Sequence, residues 1–178
     1  IVMDIAGLGL AVLDALGEYT FDTERDIKYP PMCCFNKEDK KERCGYREAM
    51  PCIYGIVANE EINNAIAVTL KASLNNHTLK FLVNEFEGED WLNENKNFQM
   101  LEASEKVRLM YPYVQTTLTQ MEIIKLQTEI TRKGIKLVEF GSNRKDRYSA
   151  LAYMNLFIRE KENELKKPKN RGNFIDLW

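Results

Sequence analysis

Blocks of apolar and polar residues along this chain change period repeatedly, and the changes predict strands followed by helices. Ile1, Val2, Met3 and Ile5 form a nearly continuous apolar run, the pattern of a strand buried on both faces. Gly7 and Gly9 break it, and Leu8, Ala11, Val12, Ala15 and Leu16 then recur at helical spacing. Pro30 and Pro31 precede a second short apolar run, Met32-Cys33-Cys34-Phe35, which reads as the next strand. Residues 36–43 are almost all polar or charged and read as a loop. Ile62, Ala65, Ile66, Leu70 and Leu74 share one face of a helix starting near Glu60 and Glu61, whose charges suit the positive end of the helix dipole. Asn75 and Asn76 end it, and Leu79, Phe81 and Leu82 make a brief extended segment.

Residues 84–97 are acidic and poor in aliphatic side chains, which predicts a surface excursion. Helical character returns near Leu101, is interrupted around Pro112 and resumes over 116–133, where Gly134 is placed to stop it. Ile135, Leu137, Val138 and Phe140 read as a strand, and residues 141–145 as a loop. Asp146 is positioned to cap a long final helix with Ala150, Leu151, Met154, Ile158 and Leu165 as its buried stripe. Strands alternating with helices predict an α/β domain around a mixed or parallel sheet over residues 1–165. Residues 166–178 are left as a loose C-terminal tail from which Phe174 and Trp178 could dock, and no internal repeat is visible.

With 178 residues, 44% of them hydrophobic and 29% charged, the chain is long enough for one core and ordinary for a globular domain. No window holds the ~18 uninterrupted apolar residues of a membrane span. Asp4 inside the first apolar run, without a basic leader, argues against a signal peptide, so an intracellular protein is expected. The run opens at Ile1 without an initiator Met, which is the expectation for a piece of a longer polypeptide. Cys33, Cys34, Cys44 and Cys52 crowd together without C-x-x-C pairs, so reduced structural thiols are expected over a four-cysteine metal site. A net charge of −2 argues against a broadly basic coat for nucleic acid, but leaves room for local grip at 37–41, 144–147 and 166–171.

Two places carry chemistry. Asp4 closes a buried strand beside a glycine turn that opens a helix, which is the carboxyl edge where open α/β sheets place their sites. As a purely structural residue, Asp4 would bond the turn amides. A dinucleotide fingerprint fails on detail, since Val12 stands where a small third residue is needed. The second place is Asn143-Arg144-Lys145-Asp146-Arg147-Tyr148-Ser149-Ala150-Leu151, where a carboxylate at a strand-loop-helix junction is flanked by bases. Asp146 there reads equally as an N-cap worth roughly 1 kcal/mol. Two-metal phosphodiester hydrolysis needs hard oxygen ligands holding divalent ions ~4 Å apart, which separated carboxylates supply and thiols do not. The lone His77 sits in a polar turn and reads as an exposed turn residue.

Taken in order, Val2-Met3-Asp4 with Gly7, Gly9, Leu13, Asp14 and Leu16, followed much later by Lys145-Asp146-Arg147-Tyr148-Ser149-Ala150-Leu151-Ala152, resembles the nuclease domain of the viral large terminase subunit. The likeness spans roughly residues 1–165 in order of elements, with distinctive motifs only at its two ends. It implies a ribonuclease H-like mixed sheet flanked by helices, and an endonuclease that cuts concatemeric double-stranded DNA during packaging. It further implies Mg²⁺ or Mn²⁺ in a two-metal site with Asp4 and Asp146 as catalytic metal ligands, and Arg144, Lys145 or Arg147 steadying a phosphate. The portal, the small terminase subunit and a homo-oligomer on the capsid are the implied partners, and the host cytoplasm the implied location. The family's first catalytic Asp lies on a strand upstream of the one Asp4 closes, so an N-terminally incomplete domain is expected. No packaging ATPase loop of the form G-x-x-x-x-G-K-[ST] occurs. Glu85, Glu87, Glu89 and Asp90 read as a solvated acidic loop before they read as ligands. A recombinase or other ribonuclease H-like nuclease, a non-catalytic interaction domain and a nucleotide-binding domain are the competing readings.

Overall fold

The computed structural model describes residues 1–141 and 144–167; the tail after Lys167 and residue Asn143 of the basic run lie outside the described residues. In chain order it runs β1 (Val2–Asp4), α1 (Leu8–Leu16), β2 (Thr20–Asp22), β3 (Ile27–Tyr29), β4 (Met32–Cys34), α2 (Glu38–Lys41) and β5 (Met50–Ile56). There follow α3 (Glu60–Asn75), α4 (Glu85–Lys96), a 3-10 turn (Phe98–Met100), α5 (Ala103–Ile124), β6 (Gln127–Thr131), β7 (Gly134–Val138) and α6 (Asp146–Lys166). The fold is mixed α/β around a small parallel sheet ordered β1-β5-β4, with separate antiparallel hairpins β2-β3 and β6-β7. No helix among the described residues is long and apolar enough to cross a membrane.

The hydrophobic pattern does not announce β5, yet it sits at the centre of the sheet. Pro51 cannot donate to a ladder, and it lies near the strand's start, where the β4–β5 register shifts between Cys33 and Cys34. Beyond β4, the Asn36 side chain continues the ladder by donating to the Gly55 carbonyl at 2.9 Å and accepting its N–H at 2.8 Å. Successive side chains of β5 point to opposite faces. Ile53 packs with Ile5, Leu13 and Cys34 beneath α1. Tyr54 points the other way, its ring 4.8 Å from that of Phe157 and its hydroxyl bonded to Glu160, both on α6. Helices thus cover both faces of the sheet.

The second core joins α3 to α6 through Ile66, Leu70, Tyr148, Ala152 and Leu156. Helix α3 starts where its acidic first turn predicts, with Asn59 capping it by accepting the Ile62 N–H at 2.9 Å. Its partner α6 is rotated from the expected stripe. Ala150, Met154, Ile158 and Leu165 face solvent, and of the expected set only Leu151 packs against the core. The true stripe holds Tyr148 and Asn155, residues that a count of aliphatics passes over. The same slip affects α1, where Leu13 is buried and Leu10 and Leu16 pack beside it while Leu8 and Val12 are exposed.

Five further expectations need correction. Residues 84–97, read as a surface excursion, are largely exposed but helical, with Asn84 capping α4 by accepting the Phe86 and Glu87 amides at 3.0 Å each. Pro112 does not interrupt α5, which runs through it and is supported on one side by α4. There the Glu85 N–H donates to Thr117 Oγ1 at 3.0 Å, and bare Gly88 meets the Tyr113 ring. The stretch read as the end of that helix is instead β6, and Gly134 opens β7 rather than stopping a helix. At φ +129 a side chain on Gly134 would also collide with Asn64, whose Oδ1 accepts the Ile135 N–H at 3.0 Å and pins the hairpin to α3. The segment at Leu79–Leu82 forms no strand, and the charged loop after β4 contains the short α2.

Gly9 shows how closely α1 approaches the end of β1: a Cβ there would lie 1.8 Å from the Asp4 carbonyl oxygen. Gly9→Ala is therefore expected to lose about 1–3 kcal/mol in urea denaturation through overpacking. The control Gly45→Ala, with nothing within 4 Å of the added methyl, should change stability by less than about 1 kcal/mol.

Candidate functional site

Asp4 stands in register with Ile56 at the end of β1. Its Oδ1 accepts the Ala6 N–H at 2.8 Å and so holds the turn that opens α1, and the carboxylate also accepts from the Tyr153 hydroxyl. The structural and the chemical readings of Asp4 coexist.

Asp146 differs from expectation. It is the first residue of α6 and not its cap; the cap position belongs to Lys145, whose side chain makes no capping bond. The amide that a cap would satisfy is taken from another helix. Glu122, on α5 and only 8% exposed, accepts the Tyr148 N–H at 2.7 Å through Oε1. Its Oε2 lies 3.5 Å from the Arg147 guanidinium, and Arg147 Nε donates to Gln115 at 3.1 Å. With the helix start satisfied from behind, the Asp146 carboxylate remains exposed at the positive end of α6.

These two aspartates line one open cleft of about 570 Å³ at the carboxyl end of β1. Lys136 of β7, Lys145 and Tyr153 line it with them. Burial first, and then the neighbouring Asp4 carboxylate, raise the Tyr153 phenol above its ordinary pKa. Of the three bases expected to steady a phosphate, only Lys145 reaches the cleft. It is partly engaged there, 3.6 Å from Glu139 and donating to the Leu137 carbonyl at 3.4 Å. Arg144 and Arg147 line a separate dent of about 190 Å³ with Lys125. Lys136 and Tyr153 were missed in the sequence, because β7 and the inner face of α6 had to be phased before either could be placed.

Other acidic candidates lie elsewhere. Glu85, Glu87, Glu89 and Asp90 belong to α4 and do not line the cleft. Asp14 is bound by Arg43 through two bonds of 2.8 and 2.6 Å, and the guanidinium holds its carboxyl below the usual range. Among the described residues no three His, Cys, Asp or Glu side chains gather as a metal site, so the cleft offers a cation two carboxylates. The four cysteines are free thiols, with burial pushing Cys33 up, and His77 occupies an exposed turn at φ +56.

No protein-family model matches the chain, and no curated protein or solved structure matches it either.

Two outcomes are expected from this geometry. Glu122→Ala should cost about 1–3 kcal/mol by leaving a buried amide unpaired, whereas Asp146→Ala should cost less than about 1 kcal/mol, both read from urea melts. Tyr148 is pushed up to about 12 by burial and Tyr153 is also raised, so both stay neutral in the folded state after the unfolded chain begins to ionise. Their contribution is complete below about pH 10 and declines as pH rises through their folded values. Phenolate absorbance against pH should show a late-titrating group of tyrosines that ionises with unfolding, Tyr148 and Tyr153 in it together with Tyr54, which burial and its bond to Glu160 also raise.

Proposed function

We propose that this chain carries the DNA-cleaving centre of a terminase-type, ribonuclease H-like endonuclease acting on double-stranded DNA, with Asp4 and Asp146 as its metal-holding carboxylates. The observation that carries this reading is their meeting in one cleft, from opposite ends of the chain. The donor chemistry fits a hard divalent cation: carboxylate oxygens, with no thiol or imidazole in the lining. Asp146, free of capping duty, and the oxygen of Asp4 not used by Ala6 are the donors that would hold Mg²⁺ or Mn²⁺. Such ions, when bound, supply positive charge to a phosphodiester and acidify water beside it.

The remaining work falls to the chain itself. Lys136 and Lys145 place positive charge on the wall of the cleft, where a phosphate backbone needs it. Tyr153 stands beside Asp4 and restricts its carboxylate. Two carboxylates are fewer than a pair of ions requires. The terminase resemblance implies a further acidic ligand on a strand upstream of the one that Asp4 closes. Within the described residues β1 pairs only with β5, and its residues Val2, Met3 and Asp4 line the cleft. An activity on the portal in a host cytoplasm, with a small terminase subunit, follows from the same resemblance.

The test is Mn²⁺-dependent nicking of supercoiled plasmid by this chain and by a version extended upstream, each with and without Asp146→Ala. The substitution should lower nicking by about two orders of magnitude, roughly 3 kcal/mol of barrier, in whichever form cuts. Folded protein that leaves plasmid intact in both lengths would refute the nuclease and favour an interaction domain.

A further inference from the structure

Opposite charges balance in three depressions of the described surface. The carboxylate cleft sets two lysines against two aspartates. A depression beside α1 sets Lys40 and Arg43 against Asp14 and Glu18, and one beside α2 sets Lys41 and Arg47 against Glu38 and Glu42. The dent of about 190 Å³ between the end of α5 and the start of α6 differs. Lys125, Arg144 and Arg147 line it with a single carboxylate, that of Glu122. This carboxylate is already engaged, one oxygen by the Tyr148 amide and the other by Arg147. Lys125 and Arg144 are exposed, and neither has an ion-pair partner among the described residues. Cations gathered in this way repel one another, although the chain as a whole carries −2, and a bound anion relieves the repulsion. The positive end of α6 adds to the same field.

We propose that this dent is an oxyanion site that holds one phosphate of a DNA backbone, the same backbone that passes the carboxylate cleft. Arginine presents a planar fork of donors that matches phosphate, and lysine adds a point charge beside it. Position favours a polymer over a lone ion. Asp146 lines the cleft and Arg147, the next residue, lines the dent. The two sites thus flank the first turn of α6, where successive side chains diverge by about 100°. A DNA strand rises about 3.4 Å per nucleotide, so a backbone with one phosphate at the cleft carries others within reach of the dent. The choice of DNA as the source of the phosphate rests on the nuclease reading; the cation excess does not.

The probe is a short fluorescein-labelled DNA duplex, titrated with the intact chain at several salt concentrations in EDTA so that no cleavage occurs. Lys125→Gln combined with Arg144→Gln alters two exposed side chains and should leave the melting temperature unchanged. It should weaken duplex binding about tenfold and lower the slope of log affinity against log salt by about 0.9, the loss of one phosphate contact. An unchanged slope, or a duplex that does not bind the wild type, would overturn the proposal. Inorganic phosphate is the second probe. If it raises the melting temperature of the wild type and not of the double variant while no duplex binds, the dent serves a free phosphate and the DNA backbone is ruled out. Nicking assays keep the two readings apart. Plasmid cut in Mn²⁺ beside an unchanged slope sinks the dent alone, and intact plasmid beside a lowered slope sinks the cleft alone.

Discussion

Glu122 lies near the end of α5 with its carboxylate almost excluded from water, and both of its oxygens are used: one by the Tyr148 amide, the other by the Arg147 guanidinium. A buried carboxylate is tolerable only when paired, and the first turn of a helix has amides that need acceptors. Each requirement here answers the other. The arrangement fixes where α6 begins, and with it the α3–α6 core and the position of Asp146. Had Asp146 been consumed as the cap, its oxygens would have turned back onto the helix amides. Because a different helix performs that duty, the Asp146 carboxylate in the cleft lining is left uncommitted to the helix amides.

Local signals were legible where one short segment decides its own conformation. The strand-turn-helix at Val2, Gly7 and Gly9, the capped start of α3 and the strand after Gly134 can be read from neighbours in sequence. What escaped depends on partners far along the chain. β5 contains Pro51 and Gly55, residues that count against a strand until its two flanking partners are known. α4 has few aliphatics to signal a buried face, since bare Gly88 is what lets the Tyr113 ring approach it. The phase of α6 was lost because its inner face includes Tyr148 and Asn155. For the candidate site, both aspartates were visible as residues of interest. That Lys136 and Tyr153 share their cleft, and that Arg144 and Arg147 do not, follows only from the tertiary packing.

Tyr148 and Leu137 each line both the carboxylate cleft and a smaller, mainly aliphatic cavity of about 240 Å³ between α3, α6 and the β6-β7 hairpin. The two chambers therefore have a common wall made of one aromatic and one aliphatic side chain. Anything that moves Tyr148 also acts two residues from Asp146, on the same first turn of α6.

The outer edge of β1 has a further consequence, in terms of colloidal behaviour. An exposed strand edge is a template on which other chains can add, and long apolar edges drive aggregation. β1 is three residues long and ends in a carboxylate, and Lys136 and Lys145 stand across the cleft beside it. An incoming strand finds few ladder positions and must cross a charged mouth to reach them. The groups that make the cleft chemically interesting also keep the sheet from growing.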